Sequence, residues 1–445
     1  MKAGFAKVDI TPPLGSKLAG YFQLREATGI INPLSACAVA FCDDSGKTAV
    51  VVTLDILELM QRDTDVIRTM VAEKTGLDRD AVLLCCTHTH LGPEVSGMLF
   101  APDEIYNKFF FSRICDAVKL AVDDLKDAEA FVAKKERPGL AFLRIFKMHD
   151  GSIAWNPGFG TLVKEPAGTP DDQIQLIKFV RPGAPDIAIV NFQMHPDVIG
   201  GNEICTDWPG YVRDYVEYSL SDEANGLGVR AICINGTQGD TVHADRYDEE
   251  THLIKKYRVG VKESKNIGRK IAGAVLEMYT YANSINTDAV FYKQSHMDVK
   301  TVDIDPADFP ISHEIVRVFG KGTREERAAY KAMERPFDIS VAKRNLRMEH
   351  EPKDLILDVS CVGIGDIAFV GFPGEPFTEI GRRTKKESPF ALTMVSCCAN
   401  GSEGYFPTAE YFDSENYESQ TTRFVKGTAE RLADTAIGLM NELKK

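Results

Sequence analysis

Six short runs rich in Val, Ile and Ala, each closed by a charge, a Gly or a Pro, alternate along this chain with stretches of helical period. No other feature constrains the fold so strongly. The runs are TAVVVTLDIL (48–57), AVLLCCTH (81–88), DIAIVNFQMH (186–195), RAICINGT (230–237), GDIAFVGFPG (365–374) and ALTMVSCCAN (391–400). Nearly continuous apolar runs of this length read as strands covered on both faces. Amphipathic stretches at 62–76, 103–126, 209–224, 253–282 and 428–444 supply the helices. The alternation predicts an α/β fold, a mixed β-sheet core flanked by helices. Residues 299–350 are more charged and read as a helical excursion inserted before a strand at 354–362. With no internal repeat and no linker, residues 1–445 read as one catalytic unit.

Composition then removes whole classes of function. A net charge of -13 with dispersed Lys and Arg argues against a nucleic-acid partner, which needs clustered positive charge. No apolar stretch approaches the length of a membrane span, so no membrane insertion is expected. The 10 cysteines fall inside apolar runs without C-x-x-C spacing, and the N-terminus has no apolar leader, so the expected location is cytoplasmic. The remaining partner is a small-molecule substrate, with a homo-oligomer left open.

Function in α/β folds collects where strands end. Here those points carry His88 and His90 (THTH), His195 and Asp197 (MHPD), Asp240 and His243 (GDTVHAD), Glu375 (FPGEP) and Tyr405 (GSEGYF). In an extended segment His88 and His90 would share one face. A catalytic zinc takes three protein ligands from His, Asp or Glu and keeps a position open for water. His88, His195 and Glu375 are residues of that kind, although an acid such as Glu375 also suits the first turn of a helix beginning near Pro376. Asp207 in TDWPGY reads as a helix N-cap with Pro209 in the first turn.

Taken in order, the segments GFAKVDITPPLGSKLAGY, THTHLGPE, MHPD, NGTQGD, PGEPFTEIGRR and YFPTAEYFDSENYES resemble the catalytic domain of neutral ceramidases, zinc amidases that cleave the N-acyl bond of ceramide. The resemblance spans residues 1 to about 425. It implies one zinc per chain held by His88, His195, Glu375 and the phenol of Tyr405. It further implies that His90 handles the proton, and that Tyr417 and Arg144 face the scissile carbonyl. Zinc chemistry suits this set, because the ion lowers the pKa of a bound water to about 7 and polarises a carbonyl.

The sequence departs from the family at three points. Val242 stands where ceramidases have an essential serine, flanked by Thr241 and His243, so Asp240, Thr241 and His243 are read as groups behind the ligands or against the substrate. Neither the β-sandwich domain that follows the ceramidase catalytic domain nor a secretory signal is recognisable. The expected activity is therefore zinc-dependent hydrolysis of an amide bond in a small or moderately polar substrate rather than ceramide. Hydrolysis of an ester, lactone or sugar-derived bond, and a catalytically inactive ligand-binding relative, are the alternatives.

Overall fold

The computed structural model describes the whole chain except residues 98, 99, 322, 324, 327–329 and 331–336, the last eleven of which fall in the expected excursion. Three β-sheets, not one, carry the architecture. The first has the order Val82–Cys86, Thr48–Leu54, Ser35–Cys42, Lys2–Asp9 and Lys126–Asp127. The second runs Val229–Asn235, Asp186–Phe192, Gln173–Val180, Glu129–Glu136 and Asn283–Ser284. The third runs Val290–Lys300, Asp354–Ile364, Ile367–Gly371 and Leu392–Ser396.

Each sheet is antiparallel apart from one parallel pair at an edge: Thr48–Leu54 with Val82–Cys86, Asp186–Phe192 with Val229–Asn235, and Ile367–Gly371 with Leu392–Ser396. All six apolar runs of the sequence are these six strands. Their near-continuous hydrophobicity has a direct cause, since every residue from Val82 to Cys86, Asp186 to Phe192 and Ile367 to Gly371 is buried. Val39, Phe41, Val51, Leu83, Ile189, Ile232, Phe369 and Met394 form one core shared by the three sheets, with Phe41 stacked on Phe369 at 5.9 Å between ring centroids.

The parallel pairs meet at their C-terminal ends. Cys397 N donates to Asn235 O at 3.2 Å, Cys86 N to Cys398 O at 3.3 Å, and the Asn235 side chain to Thr87 O at 3.2 Å. Three strand-end loop clusters are thereby tied into one, which is the crevice that α/β connectivity favours for ligands.

Helices cover the outer faces at Gln61–Thr75, Glu104–Asp123, Asp207–Ser219, Val261–Tyr281, Thr378–Glu387 and Thr428–Leu443. Two boundaries depart from the sequence pattern. The helix expected from 253 starts at Val261, where Gly260 at φ 95° turns the chain, and the one expected to reach 224 stops at Ser219 before the left-handed residues Ala224 and Asn225. Asp207 is not the N-cap. Thr206 is, while Asp207 at φ 55° uses its carboxylate to bind Ile199 N, Trp208 N and the Ser264 hydroxyl.

Of the 299–350 stretch, residues up to Lys300 extend the third sheet, and helices follow at Asp308–Lys321 and Asp338–Met348 before the strand Asp354–Ile364. The Asp338–Met348 helix lies against the site described next. Among the described residues, no helix is long and apolar enough to cross a membrane.

Candidate functional site

His88 and His90 follow the strand Val82–Cys86 after two residues, but not in an extended segment. The strand ends at Cys86, and His88 has a left-handed backbone at φ 69°, stabilised by His88 N donating to Ile56 O at 3.0 Å and Thr87 N to Leu54 O at 2.8 Å. Beneath this loop Arg213 and Asp55 form a buried two-point ion pair at 2.8 and 2.6 Å, and Asp55 also accepts from Ser35 N. Arg25 holds the far side by donating to His90 O at 2.6 Å. The two imidazoles still converge, at 5.2 Å between ring centroids, because the loop rather than strand alternation aims them.

His195 enters from the end of Asp186–Phe192, and its ring centroid lies 5.0 Å from that of His88. Glu375 is in a two-residue strand, Glu375–Pro376, paired in parallel with Tyr405–Phe406. It is therefore not in the first turn of a helix, which begins only at Thr378. This pairing brings the Tyr405 phenol to 3.4 Å from His195 Nε2.

The hydrogen bonds fix which ring nitrogens face the centre. His88 Nδ1 lies 2.9 Å from Leu57 O and His195 Nδ1 lies 3.1 Å from Gln238 O. A carbonyl only accepts, so both Nδ1 atoms carry a proton and each Nε2 presents a lone pair whenever its ring is neutral. Those lone pairs point at one atom, because each Nε2 is 3.3 Å from Glu375 Oε2.

With both rings neutral three acceptors converge here, so the local electrostatics favour a positive charge among them, which a proton shared by His88 and Glu375 or a metal ion would supply. Burial opposes charge on His88, yet the Glu375 carboxylate overcomes it and raises the imidazole pKa well above its ordinary value. Burial and the Arg144 charge push His195 down to about 3. Glu375 is lowered to about 2 despite burial, chiefly by His88. A divalent ion at this point satisfies the same three groups without a proton, and imidazole Nε2 with carboxylate oxygen is a donor set zinc accepts. The Nδ1 bonds to backbone carbonyls are the supports that metal-binding histidines use to fix ring orientation.

His90 is different. Both of its ring nitrogens are buried without a hydrogen-bond partner, and burial together with His88 and His195 lowers its pKa well below the ordinary value. It is a neutral base facing open space. Its Nδ1 or Nε2 also comes within 4.8 Å of the corresponding atoms of His88 and His195.

Arg144 is buried, and the loop that carries Gln238 and Asp240 anchors it. Arg144 N donates to Asp240 O at 3.0 Å, its Nη2 to Gly239 O at 2.7 Å, and its Nε to Glu418 Oε1 at 2.7 Å. The guanidinium also lies 5.6 Å from the Tyr405 ring centroid. Tyr417 follows on the next ring, 5.3 Å from Tyr405 between centroids, and lies near Ser340 of the Asp338–Met348 helix.

A cavity of about 530 Å³ connects these groups, lined by His88, His90, Arg144, His195, Glu375, Tyr405 and Tyr417. Val242 lines it too, held by the pairing of Phe142–Leu143 with Thr241–Val242. Asp240, Thr241 and His243 do not. Asp240 Oδ1 accepts from Thr378 N at 2.8 Å and so caps the next helix from outside, with burial raising its pKa to about 7. Thr241 closes a turn onto Gln238 O through its N and its hydroxyl, at 2.9 and 3.1 Å. His243 turns to Asp197 and Arg258 O. Their place behind the site follows from backbone turns that sequence spacing does not specify.

Sequence reasoning missed Cys398, whose Sγ comes within 4.8 Å of donor atoms of both His88 and Glu375. It ends the last of the six apolar runs, so the same strand-end logic pointed there. It also missed the Trp155 ring, 5.3 Å from that of Tyr417, and Glu418, the acid that pairs with Arg144.

No family model matches the sequence. Two solved structures are similar over the whole chain. A ceramidase complexed with C2 is 17% identical at a TM-score of 0.73, with 99% of this chain and 75% of that one covered. The neutral ceramidase from Pseudomonas aeruginosa is 16% identical at the same TM-score, with 100% and 75% covered. The chain has their α/β fold from end to end, as the sequence resemblance implied.

Proposed function

We propose that this chain, which adopts the neutral ceramidase fold, is a zinc-dependent hydrolase of an amide bond in a small or moderately polar substrate. The observation that carries the reading is the convergence of His88 Nε2 and His195 Nε2 on Glu375 Oε2 at 3.3 Å each, with both Nδ1 atoms committed to carbonyls. Tyr405 completes the set from the His195 side as a neutral phenol, since burial and the Glu375 charge raise its pKa well above the ordinary value and Arg144 offsets this only in part. Zinc held there polarises a substrate carbonyl and brings a bound water to a pKa of about 7.

The chain's own groups divide the remaining work. His90, neutral and without a partner, takes a proton from the attacking water and returns it to the leaving nitrogen. The Tyr417 hydroxyl donates to the carbonyl oxygen as negative charge develops, a contribution of roughly 3–4 kcal/mol for a preorganised donor. Arg144 serves mainly to position Tyr405, since Glu418 and Gly239 O already hold its Nε and Nη2. Val242 offers no nucleophile, and this scheme asks for none at that position.

The experiment is elemental analysis of purified protein together with hydrolysis of matched N-acyl amides and esters. About one zinc per chain and faster cleavage of the amides supports the reading. Protein that holds no metal after zinc is added, and then cleaves neither series, overturns it.

A further inference from the structure

The helix Asp338–Met348 closes one wall of the cavity, and the charges on that wall are unequally answered. Arg347 and Arg423 share Glu351 and Glu403, while Lys343 is attracted by Glu94. Arg344, which also lines the cavity, differs from them. Its Nη1 donates to the carbonyl of Thr422 at 3.0 Å, its Nε is buried without a partner, and among the described residues no carboxylate lies within ion-pair distance of it, Asp308 attracting it only from further off. A half-buried guanidinium at a ligand cavity with its Nε unpartnered is a ready partner for an oxyanion, which it binds through paired N–H groups.

The helix also sets the distance. Ser340 lies near Tyr417, and Arg344 is four residues further on the same face, so about 6 Å along the axis separates the two positions. Phe22 and Trp155 pack on the Tyr417 ring and present apolar surface to the cavity.

We propose that the substrate is an N-acyl compound bearing an anionic group, carboxylate or phosphate, and that Arg344 binds this group about one helical turn from Tyr417. The proposal rests on the amide-hydrolase reading for its bond but not for its charge. It gives the excursion a task, the selection of charged over neutral amides.

The test uses three probes with one acyl chain: N-hexanoylglycine, N-hexanoyl-O-phosphoethanolamine and the neutral N-hexanoylglycinamide. Binding is read from Trp155 fluorescence, which reports the cavity because the other tryptophan, Trp208, is fully buried. Turnover is measured in parallel.

The expected result is ~10–100-fold tighter binding of one anionic probe than of the glycinamide, the range for a hydrogen bond to a charged group, lost in Arg344→Gln and partly restored in Arg344→Lys. Whichever anion is preferred identifies the carboxylate or the phosphate. Equal binding of all three probes, no binding of any, or an anion preference that survives Arg344→Gln in a variant with wild-type thermal unfolding overturns the proposal. Anion preference without turnover of any probe would keep the subsite and sink the hydrolase reading.

Discussion

Nε2 of His195 lies 3.3 Å from Oε2 of Glu375, a lone pair facing a carboxylate with no proton to join them. A positive charge between the two, such as a metal ion would bring, relieves that opposition. His195→Ala is therefore expected to lower the metal content from about one ion per chain to below ~0.1 while leaving the fold intact, since the three-sheet core does not depend on that ring. Elemental mass spectrometry with circular dichroism checks it. Undiminished metal in the variant would take His195 out of the ligand set.

His90 makes the complementary case. A neutral imidazole with both nitrogens unpartnered has no structural task that would explain its burial. His90→Ala should keep the metal and lower kcat by ~10²–10⁴, the usual contribution of a positioned acid or base. Loss of metal and activity together would instead make His90 a ligand.

The ease with which these residues could be read from sequence follows from what aimed them. His195, Glu375 and Tyr405 were legible because a buried parallel strand announces itself as an apolar run, and the next polar residue stands at its C-terminal end. Cys398 obeyed the same rule and was overlooked only because a thiol in an apolar run also suits a core. The orientation of the rings was not legible. It depends on Leu57 O and Gln238 O, backbone atoms that carry no side-chain signature, and on a left-handed turn at His88 where alternation would have predicted a strand. Three sheets rather than one were equally hidden, because a run of Val and Ile states that it is covered but not by what. The excursion was visible as a change in charge, yet its placement over the cavity needed the fold.

Val242 lines the cavity but makes no polar contact, and its backbone pairs with Phe142. Restoring serine there should change kcat by less than about threefold, because in the proposed scheme the proton passes through His90 and the hydroxyl would add nothing to it. Steady-state kinetics of Val242→Ser on N-acyl amides decides this. A rise of tenfold or more would show that the missing hydroxyl limits the rate.

Asp240 ties stability to pH. Burial raises its folded pKa to about 7, above the ordinary 3.8, so the folded state keeps a proton that the unfolded chain releases. Its contribution is then fully present below pH ~4 and is lost as pH rises through about 7. Asp240→Asn keeps an acceptor for Thr378 N and cannot ionise. Relative to this variant, the wild type should lose up to ~4 kcal/mol of unfolding free energy between pH 4 and 7, three pKa units at ~1.4 kcal/mol each. Urea unfolding across that range checks it, and parallel curves for the two proteins would mean that Asp240 titrates normally.

Gly239 joins the strand-end loop to Glu375, the carboxylate proposed to hold the metal. Its N donates to Pro376 O at 3.0 Å, and a Cβ at this position would stand 2.5 Å from Glu375 O and 2.9 Å from Pro376 O, contacts with backbone that no rotamer change relieves. Gly239→Ala must therefore push the Glu375–Pro376 strand away from the loop that carries Gln238 O, the support of His195 Nδ1. Both ligands move apart when one methyl group is added behind them. The expected cost is ~1–3 kcal/mol of stability, as for overpacking in a tight core, together with a metal affinity lowered by ~10–100-fold. Competition with a calibrated chelator measures the second quantity. If affinity fell no more than twofold while stability fell as expected, the Glu375 carboxylate would not be held by this contact, and the three-acceptor geometry would owe its precision to the Tyr405 pairing alone.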